Sequence, residues 1–143
     1  MTNTRATRHT QAFEDLLESM RAKLHRLIPD VEIQAKVQLI AANGLIYVST
    51  AKGLYALDAD DGSVAWVYPT ELPLGHSPTV HGNRLYVGGF DRKIHCLDAL
   101  TGQRIWTFEA SGFSGGFHTN PLVIELDGKP AIWAGNRDGR MFA

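Results

Sequence analysis

Several sets of residues in this 143-residue chain have the types and spacing that chemistry requires. Gly112-Phe113-Ser114-Gly115-Gly116 satisfies G-x-S-x-G, the turn that presents a hydrolase serine, and His118 follows two residues later. Asp58-Ala59-Asp60-Asp61-Gly62 opens like a calcium-binding loop. His76, in Gly75-His76-Ser77-Pro78, and His118, in Phe117-His118-Thr119-Asn120-Pro121, are imidazoles with the chemistry to hold a metal. Cys96 is the only thiol.

Each has a plainer reading. A nucleophile elbow opens a helix, whereas Asn120-Pro121-Leu122-Val123 begins a strand, and the order of acid and histidine along the chain is wrong for that fold. The same glycines do not make G-x-G-x-x-G. An EF-hand places glycine sixth and glutamate twelfth, but here glycine is fifth and position twelve is Pro69. His76 and His118 lack a third ligand, so a hydrogen-bonded loop histidine is the simpler assignment for each; they remain the candidates for one mouth of a central channel. His81 on a hairpin tip and His95 on a strand show no spacing that suggests a cluster. Cys96 reads as a small core thiol, and one cysteine excludes an intramolecular disulfide.

The elements that must position these residues are strands. The chain is 44% apolar and 20% charged with a net charge of −1, the range of an ordinary globular domain. It lacks the basic field of a nucleic-acid or anionic-membrane binder. No run of apolar residues is long enough for a membrane-spanning helix, and the polar N-terminus does not read as a secretory signal, so the expected location is cytoplasmic. Residues 1–30 read as a polar tail and an amphipathic helix. Phe13, Leu16, Leu17, Met20, Leu24, Leu27 and Ile28 fall on one face, Thr10 caps the start, and Pro29 stops the helix. From residue 31 to 143 short β-branched and aromatic runs are cut by Gly, Asn and Asp.

These runs repeat. Leu54-Tyr55-Ala56-Leu57 and Trp66 return forty positions later as Ile94-His95-Cys96-Leu97 and Trp106, and Leu45 to Val48 is expected to answer to Leu85 to Gly88 at the same offset. A third copy, Ile132 to Gly135 and Asp138 to Ala143, follows at an offset of 47 because its first hairpin, around Asp127-Gly128-Lys129, is longer. A period of about forty residues with four short strands is that of a propeller blade. The fold expected is all-β, a partial β-propeller of two four-stranded blades and part of a third, preceded by the helix. The blades fall near 36–68, 76–109 and 121–143, with the middle strands at Thr79 to His81, Leu85 to Gly89, Lys93 to Leu97 and Arg104 to Glu109.

The phrase A-x-D-x-x-T-G-x-x-x-W resembles the tryptophan-docking motif of the quinoprotein-type, or PQQ-like, β-propellers, over roughly residues 36 to 143. Copy one keeps Ala56, Asp58, Gly62 and Trp66 but has Asp61 in place of Thr; copy two keeps Asp98, Thr101, Gly102 and Trp106 but has Cys96 in place of Ala. The resemblance implies structural roles, with an indole wedged between sheets, a glycine at a left-handed angle and an aspartate capping turn amides. The family includes both quinoprotein alcohol dehydrogenases and a non-catalytic scaffold of outer-membrane protein assembly. Its dehydrogenases hold PQQ and calcium at the propeller axis and carry an adjacent cysteine pair, which this chain lacks. The expectation is therefore a non-catalytic interaction or scaffold module without a cofactor, the alternative being part of a PQQ-dependent dehydrogenase. Because propellers close with about four to eight blades, the chain is expected to be the N-terminal fragment of a larger protein or to be completed by a protein partner or self-association through open blade edges.

Overall fold

A computed structural model describes Asp15, Glu18, Ser19, Ala22 and residues 39–111 and 115–143. The chain divides into two units, Met1–Ile33 and Gln34–Ala143. The amphipathic helix expected between Phe13 and Ile28 is not supported as an element: apart from four residues it lies outside the described residues, and every ordered element described belongs to the second unit.

That unit is all-β. Sheet 1 comprises β1 (Ile40–Ala42), β2 (Leu45–Thr50), β3 (Gly53–Asp58) and β4 (Val64–Pro69). Sheet 2 comprises β5 (Thr79–His81), β6 (Arg84–Gly88), β7 (Lys93–Asp98) and β8 (Arg104–Glu109), and sheet 3 has β9 (Leu122–Leu126), β10 (Lys129–Gly135) and β11 (Met141–Phe142). Within each sheet the strands lie in sequence order and pair antiparallel, the meander of a propeller blade. The turns carry residues that tolerate positive φ: Asn43-Gly44 and Asp127-Gly128 each place both residues there, as two-residue hairpins require.

The middle strands are buried almost continuously, rather than on alternate residues. Both of their faces are covered, which the stacking of sheets explains for sheet 2. Tyr47, Leu54, Ala56, Trp66 and Tyr68 on one face of sheet 1 pack against Leu85, Val87, Leu97 and Ala99 of sheet 2. The opposite face of sheet 2 meets sheet 3 around Ile94, Ala110, Phe117, Ala134 and Phe142.

The register corrects one expectation from the repeat. Ala56 pairs with both Tyr47 and Trp66, while Cys96 pairs with Tyr86 and Trp106, so Tyr47 corresponds to Tyr86 and not to Val87. The second strands of blades 1 and 2 therefore match at 39 and only the third and fourth strands at 40. The connection from β6 to β7 holds one more residue than its counterpart in blade 1, and in a strand one residue exchanges the two faces.

Loops between blades bind the backbone of the turns in the blades on either side. Gly75 N–H donates to Gly88 O at 2.6 Å, Phe117 N–H to Gly89 O at 3.0 Å and Arg137 N–H to Gly116 O at 3.2 Å. Phe117 is fully buried and lies so close to Gly88 that a Cβ there would sit 2.6 Å from the Phe117 Cβ. Phe117→Ala should cost about 3–5 kcal/mol, read as a lowered urea midpoint with an unchanged dependence on urea; a wild-type midpoint would show that this wedge does not hold blades 2 and 3 together.

Candidate functional site

The aspartate–glycine phrase folds into the same knot twice. In blade 2 the Asp98 Oδ1 accepts N–H bonds from Leu100 at 3.0 Å and Thr101 at 2.9 Å and the Thr101 hydroxyl at 3.0 Å, while Asn83 Nδ2 donates to its Oδ2 at 2.9 Å. Gly102 N–H returns to Asp98 O at 2.9 Å, with φ of +72° at Gly102. In blade 1 Asp58 Oδ1 accepts from Asp60 N–H at 2.8 Å and Asp61 N–H at 3.3 Å. There Asp61 Oδ1 takes the Ser63 N–H at 2.7 Å, the same office the Thr101 hydroxyl performs for Gln103 N–H at 3.3 Å, so Asp61 is a working substitute for the motif threonine.

The first tryptophan uses the second knot. Trp66 Nε1–H and the Tyr47 hydroxyl both donate to Ala99 O, each at 3.1 Å, and the Tyr47 and Trp66 rings lie 5.8 Å apart. The indole rests flat on Gly102: a Cβ there would stand 2.5 Å from Trp66 Cε3. A carbonyl with two lone pairs thus satisfies two donors from the neighbouring blade where burial would make either costly to leave unpaired. Trp106 repeats the geometry within its own blade, with Tyr86 at 6.0 Å, but it is 38% exposed and no acceptor among the described residues meets its N–H. Beside it Ile94, Phe108, Ile132, Ala134 and Phe142 line an apolar groove of about 460 Å³.

The histidine candidates are not brought together as a donor set. The His118 Nε2–H donates to Gly115 O at 2.8 Å and its ring lies edge-on to Phe90 at 4.2 Å, whereas His76 is exposed on the preceding inter-blade loop. Among the described residues no three of His, Cys, Asp or Glu gather as a metal would need. Of G-x-S-x-G only Gly115 and Gly116 are described, and β9, not a helix, follows. Cys96 is fully buried, and that burial raises its thiol pKa.

Spacing missed a buried polar cluster among the described residues. His95, 4% exposed, has Nε2 at 3.0 and 3.2 Å from the two Asp91 oxygens and Nδ1 at 3.0 Å from the Tyr68 hydroxyl across the seam. An ionised carboxylate only accepts, so Nε2 carries a proton, and in the neutral imidazole Nδ1 takes the Tyr68 O–H. Burial raises the Tyr68 pKa, partly countered by Arg104. A Cβ on Gly89 would lie 2.2 Å from Asp91 Oδ1, so only glycine leaves room for this carboxylate to reach back. The available signal was the position two after each docking tryptophan, Tyr68 in one copy and Phe108 in the next.

Seams built from a tryptophan, a glycine knot and a shared carbonyl define a PQQ-like β-propeller. The chain belongs to the family described as outer membrane protein assembly factor BamB, whose model matches residues 11–143. It is 28% identical over 103 residues to a quinoprotein ethanol dehydrogenase of Pseudomonas aeruginosa, covering 64% of this chain and 16% of that protein. It is 22% identical over 117 residues to BamB of Xanthomonas campestris, covering 73% of this chain and 29% of that one. Among solved structures, BamB from Moraxella catarrhalis matches with a TM-score of 0.60 at 23% identity, over 72% of this chain and 31% of that chain, a likeness of fold. A quinohemoprotein alcohol dehydrogenase from Pseudomonas putida matches at 0.58 and 26%, over 70% and 16%. The chain thus spans less than a third of the length of each of these relatives. No helix among the described residues is long and apolar enough to cross a membrane.

Two predictions follow from the knot. Gly44 and Gly102 share a φ near +70°, but nothing lies within 4 Å of a Cβ at Gly44. Gly44→Ala should cost the about 1–2 kcal/mol of a left-handed alanine, and Gly102→Ala clearly more because the indole must leave; equal losses in urea unfolding would show that Trp66 is not seated on Gly102. The Thr101 N–H holds the Asp98 carboxyl below its usual value, helped by the Thr101 hydroxyl, Leu100 N–H and the Arg84 charge against partial desolvation. A lowered folded pKa means stability present above the unfolded value and lost as pH falls through the folded one. Asp98→Asn should flatten that acid limb, measured by the urea midpoint across acid pH; an unaltered limb would remove Asp98 as its source.

Proposed function

We propose that the chain is part of a larger, non-catalytic propeller module that works by protein contact, with the outer face of blade 3 as the surface on which the rest of that module or a partner protein stacks. The observation that carries this is the outer face of sheet 3. Leu122, Ile124 and Leu126 alternate along β9, Trp133 pairs with Leu122 and Met141 with Gly135, so all five side chains share one face, opposite the one that meets blade 2. They are exposed, Leu122 to 59%, Leu126 to 52% and Met141 to 67%. Contiguous apolar faces of this kind mark interaction surfaces. The unpaired edge of β11 adds backbone donors and acceptors beside it. The relative named as an assembly factor supports the same reading.

A second reading, part of a PQQ-dependent dehydrogenase, is supported by the quinoprotein relatives, of which one reaches 28% identity. In that case the PQQ and calcium ligands belong to blades beyond those described, and the chain's own contribution is the wall that its seams keep rigid.

The two readings differ in a simple experiment. On the scaffold reading, PQQ with calcium leaves the thermal midpoint of the purified chain unchanged, no dye is reduced with alcohols, and sedimentation shows concentration-dependent association that Leu122→Lys with Met141→Lys suppresses. A rise in midpoint with PQQ and calcium overturns it in favour of the dehydrogenase. A strictly monomeric chain, indifferent to the two lysines, removes the blade 3 face as a contact surface.

A further inference from the structure

The two seams solve one position in opposite ways. Between blades 1 and 2 Tyr68 meets His95, rings 5.7 Å apart at 67°, with Asp91 behind. Between blades 2 and 3 the matching residues, forty positions after Tyr68 and 47 after His95, are Phe108 and Phe142, rings 6.0 Å apart at 57°. The turn changes with them. Asp91 Oδ1 caps the Lys93 N–H at 3.2 Å, whereas at the matching turn Asn136 Oδ1 caps Arg140 N–H at 2.9 Å, and Asp138, the counterpart of Asp91, is exposed. The fold therefore accepts an all-carbon pair at this site, so packing alone does not call for a buried imidazole with two polar partners.

We propose that Tyr68, His95 and Asp91 are a matching device: a buried polar key through which the inner face of blade 2 accepts blade 1 and rejects faces ending in phenylalanine. Blades of one chain are near copies, so an outer face can stack on a wrong inner face, within a chain or between two. Set against Phe108, His95 Nδ1 would face a ring with no donor; set against Phe142, the Tyr68 hydroxyl would lose its acceptor. Each mismatch leaves a buried polar atom unpaired, and such penalties, more than the net gain from the correct pair, are what buried polar groups contribute to uniqueness. Arg104 lies beside Tyr68 and Asp91 is partly open to solvent, so the cognate seam satisfies every member.

The test transplants one seam into the other. All variants carry Leu122→Lys and Met141→Lys, so that association through blade 3 is lowered equally and its failure to fall would count against the contact surface and not against the key. Tyr68→Phe alone should lower the thermal midpoint, because His95 Nδ1 is orphaned. Tyr68→Phe with His95→Phe should restore the midpoint to within a few degrees of the parent. That double variant should also lose uniqueness, with several-fold more oligomer after refolding and doubled amide resonances near the seam. In the parent, ¹⁵N spectra should show neutral His95 protonated on Nε2. The proposal is overturned if the double variant refolds to one species with the parent's oligomer content, if it is less stable than both single variants or does not fold, or if His95 carries its proton on Nδ1.

Discussion

Much of this structure depends on one backbone carbonyl. Ala99 O takes the Trp66 indole N–H and the Tyr47 hydroxyl from the neighbouring blade, at 3.1 Å each. To be reachable, it must project from a turn held rigid by Asp98, and the turn must end in a residue small enough for the indole to lie on it. Remove the glycine and the ring has no seat; remove the aspartate and the carbonyl has no fixed direction. The local turn chemistry and the long-range stacking of blades are therefore one device. That is why the same few residue types recur at a fixed spacing in an otherwise variable sequence.

This explains what was legible. Turn formers, strand lengths and the docking phrase are local and periodic, and the four strands of the middle blade lie where the pattern places them, within one residue at the ends of β6 and β7. Two things were not local. The face assignment of β6 depends on a single extra residue between Gly88 and Lys93, which similarity of residue type hides, since Leu-Tyr-Val reads plausibly in either register. The Tyr68–His95–Asp91 cluster joins residues 27 apart across a seam and has no motif spacing of its own. It becomes visible only when two copies are compared position by position.

The same comparison separates chemistry from architecture. Asp58 and Asp61, which resembled calcium ligands, each have Oδ1 occupied by turn amides, and the His118 Nε2 is occupied by Gly115 O. An imidazole or carboxylate already committed to the backbone must break those bonds before it binds anything else. Polarity in these turns thus measures how firmly a blade edge is held.

The apolar surfaces are distributed with a direction. On the face of sheet 1 turned away from blade 2, Ile46, Val48 and Leu57 are buried, whereas the face of sheet 3 turned away from blade 2 exposes Leu122, Leu126, Trp133 and Met141. Sheet 3 thus carries two distinct apolar surfaces, the outward one and, on its other side, the seam groove lined by Ile132, Ala134 and Phe142 with Trp106, whose indole N–H lacks an acceptor among the described residues.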